Sequence, residues 1–178
     1  MSLTALVAAA LLVAAPTPEG PIVVDELPIS RGHLRHWADI AQRVGLADRQ
    51  DAREQSAGLL ISFRWMRNEA RERGIVLAPG EVRASFVEQR DETFPTRRAF
   101  RRYLRDSGQS RDDIKLRVEM DLLSNRVRET VIEGAATEDE QIARLDAFVA
   151  EFRRKWRERT ACIEPWVVPD CGLAPARG

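Results

Sequence analysis

Two cysteines, two histidines and one dense arginine cluster are the groups whose types and spacing could do chemistry in this chain. Cys162 and Cys171 are the only cysteines in 178 residues, and both lie in CIEPWVVPDC. Thiols this close can close a disulfide in an oxidising compartment. Such a small loop stabilises by roughly 2–3 kcal/mol in the chain-entropy account. They can also ligate a metal, and His33 and His36, an i, i+3 pair on one helix face, could add two nitrogens. C-x8-C is not a zinc-finger spacing, and the histidines are far away in sequence. The disulfide is the favoured reading, zinc is the rival, and neither a metal nor another cofactor is expected.

Signals for catalysis are thin. The chain has no glycine-rich phosphate loop, no G-x-S-x-G and no H-E-x-x-H. No catalytic residue is assigned. Glu138, Asp139 and Glu140 fall in the first turn of a helix, where they complement its dipole. TRRAFRRYLR sets Arg97, Arg98, Arg101, Arg102 and Arg105 around Phe100 and Tyr103. Interleaved arginine and aromatics can stack on nucleobases. The plainer reading is an amphipathic helix with a wet arginine face, offset by Glu88, Asp91, Glu92 and Asp106. We favour the latter and expect no nucleic-acid partner. Phe63 and most of the other large aromatics belong to a core. Trp65 lies off the main stripe of its helix, between Arg64 and Arg67, and either packs on another helix or lines a groove. Exposed aromatic and methionine surface mixed with arginine suits a binder of varied polypeptides. On that reading the contact residues are Trp65, Met66, Phe86, Phe94, Phe100 and Tyr103.

The elements that must position these groups are helices. Lys+Arg and Asp+Glu both number 28, so the net charge is zero and no global field draws the chain to a polyanion. Leu3 to Ala15 is an uncharged Ala/Leu-rich run. It is short for a bilayer span, which takes about 20 residues, and fits a secretory leader. Pro16 and the lack of a preceding Lys or Arg leave an uncleaved N-terminal anchor as the rival. Export is expected, with membrane contact only through an uncleaved leader. Residues 1–15 are therefore a signal peptide or anchor, 16–21 a linker, 22–160 a helical domain, and 161–178 a tail carrying the cysteines. A β-prone run at Ile22 to Val24 precedes a turn at Asp25-Glu26. Ser30, Asp48, Ser110 and Thr137 are N-cap candidates, and Gly45, Gly74, Gly108 and Gly134 are stops. Pro79 suits the first turn of a third helix. The expected fold is all-α, about six helices with a short two-stranded β ribbon.

Several stretches resemble the SurA-like and PrsA-like peptidyl-prolyl isomerase foldases. VVDELPISRGHLRHW resembles their opening strand, turn and first helix, at Val24, Asp25, Ile29 and Ser30, with Glu26 in place of a glycine. Glu69, Ala70, Gly74, Ile75, Glu81 and Val82 match a long helix followed by a new helix start. Phe100, Leu104, Gly108, Ser110, Asp113 and Ile114 match a helix pair, and the closing segment with its cysteine pair is similar too. The resemblance covers roughly residues 22–171. It implies a SurA N-domain-like chaperone domain. The family's isomerase domain, usually inserted before the closing helix, has no counterpart in VIEGAATEDEQIARLDAFV, and no histidine there could serve it. The implied function is ATP-independent binding of unfolded or newly translocated polypeptide clients without catalysis. Alternatives are a structural partner of another envelope protein, and a peptidyl-prolyl isomerase with residual activity.

Overall fold

The computed structural model describes residues 20–45 and 48–172. The leader at 1–15 and most of the 16–21 linker lie outside the described residues. Strand β1 (Ile22–Val24) and strand β2 (Leu27–Ile29) form a hairpin with Ile22 opposite Ile29. Its two turn residues, Asp25 and Glu26, both hold positive φ, 48° and 66°. Paired left-handed residues match the strand twist but favour Asn and Gly. The expected two-stranded ribbon is in fact a three-stranded sheet. Strand β3 (Thr160–Cys162) pairs antiparallel with the other edge of β1, Ile22 facing Cys162, in the order β2-β1-β3.

Six helices fill the interval: α1 (Arg31–Arg43), α2 (Arg49–Glu72), α3 (Glu81–Thr93), α4 (Arg97–Ser107), α5 (Arg111–Ile132) and α6 (Glu138–Glu158). The fold is mostly all-α. Local chemistry sets most of the boundaries. The side chains of Ser30, Asp48, Thr96, Ser110 and Thr137 each accept a backbone N–H in the first turn that follows. Ser110 and Asp113 complete a reciprocal capping box. Thr137 and Glu140 make a looser version, with Glu140 reaching back to the Ala136 N–H. Helix α3 starts two residues later than expected: Gly80, left-handed at φ 84°, is its N-cap, so Pro79 precedes the helix.

The main core lies where α1, α2 and the end of α6 meet the sheet. Ile22, Val24, Leu34, Ile61 and Trp156 are fully buried there. The segment from 161 onward, set apart as a tail by the sequence, contributes Cys162, Trp166 and Val168 to this core. Cys162 and Cys171 are joined as a disulfide. A second cluster joins α2 to α5 through Ala70, Leu123 and Val127, and a third joins α3, α4 and α5 through Phe86, Phe100 and Val118.

One buried carboxylate ties α2 to α6. Glu69 Oε2 accepts from Lys155 Nζ at 2.7 Å and from Trp156 Nε1 at 2.9 Å, and Oε1 accepts from Arg73 Nε at 2.6 Å. Burial works against its charge, but the donors from Lys155, Arg73 and Trp156 outweigh it and hold its pKa below the usual range.

Candidate functional site

Helices α1 and α2 and the connection from α4 into α5 line an open groove of about 570 Å³. Trp37, Ile40 and Ala41 of α1, with Val44 at its C-cap, form one wall, and Gln55, Ser56 and Leu59 of α2 form the other. Tyr103, Gln109 and Arg117 close the third side. The lining is largely apolar, and Val44 is 40% exposed. Arg117 lies over the Trp37 ring, 5.0 Å from its centroid, and pairs with no carboxylate among the described residues.

The polar corner follows from the tight α4–α5 connection. Gly108 takes the left-handed conformation, φ 71°, that ends α4 and that any side chain there would strain. Ser110 must then cap α5, so Gln109 is left at the corner, 7% exposed. Its Nε2 donates to the Tyr103 hydroxyl at 2.8 Å, while its Oε1 has no partner among the described residues. Turning the amide over would exchange the two ends and orphan the nitrogen instead. Either way, half of a buried amide is unpaired at the groove, which normally costs about 1–3 kcal/mol.

Beside the groove, Ser110, Asp113 and His36 meet, three residue types known from hydrolases. Asp113 Oδ2 accepts from the Ser110 hydroxyl and N–H at 2.7 Å each and from His36 Nε2 at 2.9 Å. The carboxylate stands between hydroxyl and imidazole, whereas a nucleophilic triad needs imidazole against hydroxyl. This set caps α5 and ties it to α1. Burial opposes the Asp113 charge, but the Ser110 and His36 bonds prevail and lower its pKa. His33 is exposed at the start of α1.

The structure corrects most of the contact residues expected from sequence. Trp65 is 3% exposed, and its Nε1 donates to Thr160 Oγ1 at 2.8 Å, so it packs against β3 and α6 and lines no groove. Phe86 and Phe100 are buried against each other, ring centroids 6.0 Å apart, and cannot meet a client. Phe94 is half-buried on Phe100 and Tyr103, and Met66 is half-buried against the second cluster. Only Tyr103 of the six reaches the groove. Trp37, Val44, Leu59, Gln109 and Arg117 went unnoticed. Trp37 and Val44 carried a signal, because they sit on the apolar stripe of α1. Gln109 carried none, since its partner contact depends on the turn.

The expected offset of the α4 arginines by Glu88, Asp91, Glu92 and Asp106 involves no direct ion pair among the described residues. Asp91 pairs with Arg90, and no ion pair among the described residues reaches α4. No described helix is long and apolar enough to cross a membrane. The disulfide is compatible with an extracytoplasmic location.

No family model matches the chain, no curated protein is similar to it, and no solved structure matches it.

Proposed function

We propose that the protein is an exported, ATP-independent, chaperone-like binder of unfolded or newly translocated polypeptide, with the α1–α2–α4 groove as its contact site and no catalysis. The largely apolar groove, with Val44 40% exposed on its wall and Arg117 free of any carboxylate among the described residues, carries this reading. The apolar walls at Val44 and Leu59 take client side chains, and Arg117 at the rim reaches client carbonyls or carboxylates. Shallow apolar contact plus one or two hydrogen bonds gives weak, sequence-tolerant binding. The leader, the disulfide and the resemblance to SurA-like foldases support the same assignment. A second reading, a dedicated partner of another envelope protein, is favoured by Ile142 and Val149, which are 51% and 42% exposed on one face of α6.

Light scattering of a chemically denatured client, diluted with and without the oxidised protein, tests this. Suppressed aggregation near stoichiometric ratios, lost in Val44→Asp but kept in Ile142→Asp, is the expected result. No suppression at large excess overturns the chaperone reading, and capture of one stoichiometric partner sensitive to Ile142→Asp favours the second.

A further inference from the structure

Helix α4 packs five arginines and one carboxylate, Asp106, into eleven residues. Arg97, Arg98, Arg101, Arg102 and Arg105 are all exposed. At 3.6 residues per turn they fall within an arc of about 140° and along about 12 Å of axis. The opposite side of the helix is anchored by Phe100 in the third core cluster. The five guanidinium groups therefore project from one side of the helix. None of them pairs with a carboxylate or donates a side-chain hydrogen bond among the described residues, whereas Arg67, Arg73, Arg126, Arg144 and Arg159 all do. Arg43 lies against Gly108 and extends the cationic surface past the C-terminus of α4.

We infer that this face docks the protein on an anionic phospholipid surface, a membrane contact independent of the leader. Charge complementarity over a plane is all that headgroup binding requires, and the aliphatic stems let arginines reach into the headgroup layer. Single-stranded nucleic acid would also want an aromatic platform. Here Phe100 is buried and Tyr103 is turned to Gln109, so the arginine face offers no ring to stack on. The inference does not depend on what the groove binds.

Flotation of the full-length oxidised protein with vesicles tests it. One set is phosphatidylcholine alone, and the other contains one third phosphatidylglycerol. An apolar leader would enter both, so the difference between them is read. The expected result is partition onto the anionic vesicles that is abolished at about 0.5 M salt, where the Debye length falls to a few ångströms. Each arginine near such a surface is worth about a fivefold step, so Arg98→Gln with Arg102→Gln should weaken partition about twenty-five-fold. Arg98→Lys with Arg102→Lys should retain it, and Arg153→Gln with Arg157→Gln on α6 should leave it unchanged. Both altered positions on α4 are exposed, so far-UV circular dichroism should not move. Equal partition onto both vesicles, or equal weakening by the α6 pair, overturns the assignment. So does displacement from the vesicles by short DNA or an acidic peptide at lower charge concentration, which would assign the face to that polyanion.

Discussion

The two ends of the molecule use the same residue types in opposite ways. At the sheet end, buried polar groups close on one another. Trp65 Nε1 donates to Thr160, Thr160 Oγ1 donates to the Trp156 carbonyl, and Trp156 Nε1 donates to Glu69. Asn68 Nδ2 is the exception among the described residues. At the α4 end, aromatic contacts supply the cohesion while the arginines stand free and Gln109 is half-paired. A satisfied polar network fixes geometry, and an unsatisfied one is a standing invitation to a ligand. On the proposed function, stability and recognition are thus kept apart, and each can be perturbed alone.

The largest test falls on the sheet end. Glu69→Ala removes one carboxylate, strands the buried Trp156 N–H and leaves Lys155 with Glu72 alone, so it should cost about 3 kcal/mol in urea unfolding. The pH profile sharpens the point. Glu69 titrates below its ordinary 4.5 in the folded state, so its contribution is present above that value and is lost as pH falls through the folded pKa. Lys155 is the reverse case. Burial alone would lower its pKa, but Glu69 and Glu72 raise it above 10.5, so its contribution is lost as pH rises beyond that value. Glu69→Ala should flatten the acid edge and weaken the alkaline one, where Glu72 still holds Lys155. Asp113→Asn, at the other end, should blunt only the acid edge, below about the ordinary 3.8.

Next comes the disulfide. Cys162→Ser with Cys171→Ser should lower stability by roughly 2–3 kcal/mol, read from thermal unfolding, and leave peptide binding at the groove intact in the surviving folded fraction. If peptide affinity fell in step with stability, the separation of the two ends would not hold. Arg117→Gln should do the opposite. It breaks no ion pair among the described residues and loses only the contact over Trp37, so stability should stay within about 1 kcal/mol, while anisotropy of a labelled unfolded peptide should report several-fold weaker binding. The smallest effect is expected at the hairpin. Glu26→Gly relieves a left-handed residue with φ 66° and should raise stability by about 0.5–1 kcal/mol, net of the entropy glycine adds to the unfolded chain.

What was legible in the sequence is what local chemistry decides. Ser30, Asp48 and Ser110 announced their helices because a cap needs only its own first turn. Glycine stops at Gly74 and Gly108 were legible for the same reason. Trp65 was misplaced because helical spacing says which residues share a face, not which face another element covers. β3 was missed because three residues carry no period, and its partner, β1, lies at the far end of the described sequence. The groove failed to show for a similar reason: its lining comes from α1, α2, α4, α5 and the connection between the last two. The corner that buries Gln109 beside the groove exists only once those helices are stacked.

β1 sits in the middle of the sheet, and its two neighbours arrive at very different times. β2 follows after two residues, whereas β3 comes only after all six helices. During synthesis or passage through a translocation channel, one edge of β1 must therefore wait open. The loop bearing Trp166, which covers the main core, waits with it. The fold closes from its last strand, so a chain stalled before Thr160 would hold every helix yet remain a client for the kind of protein it is proposed to be.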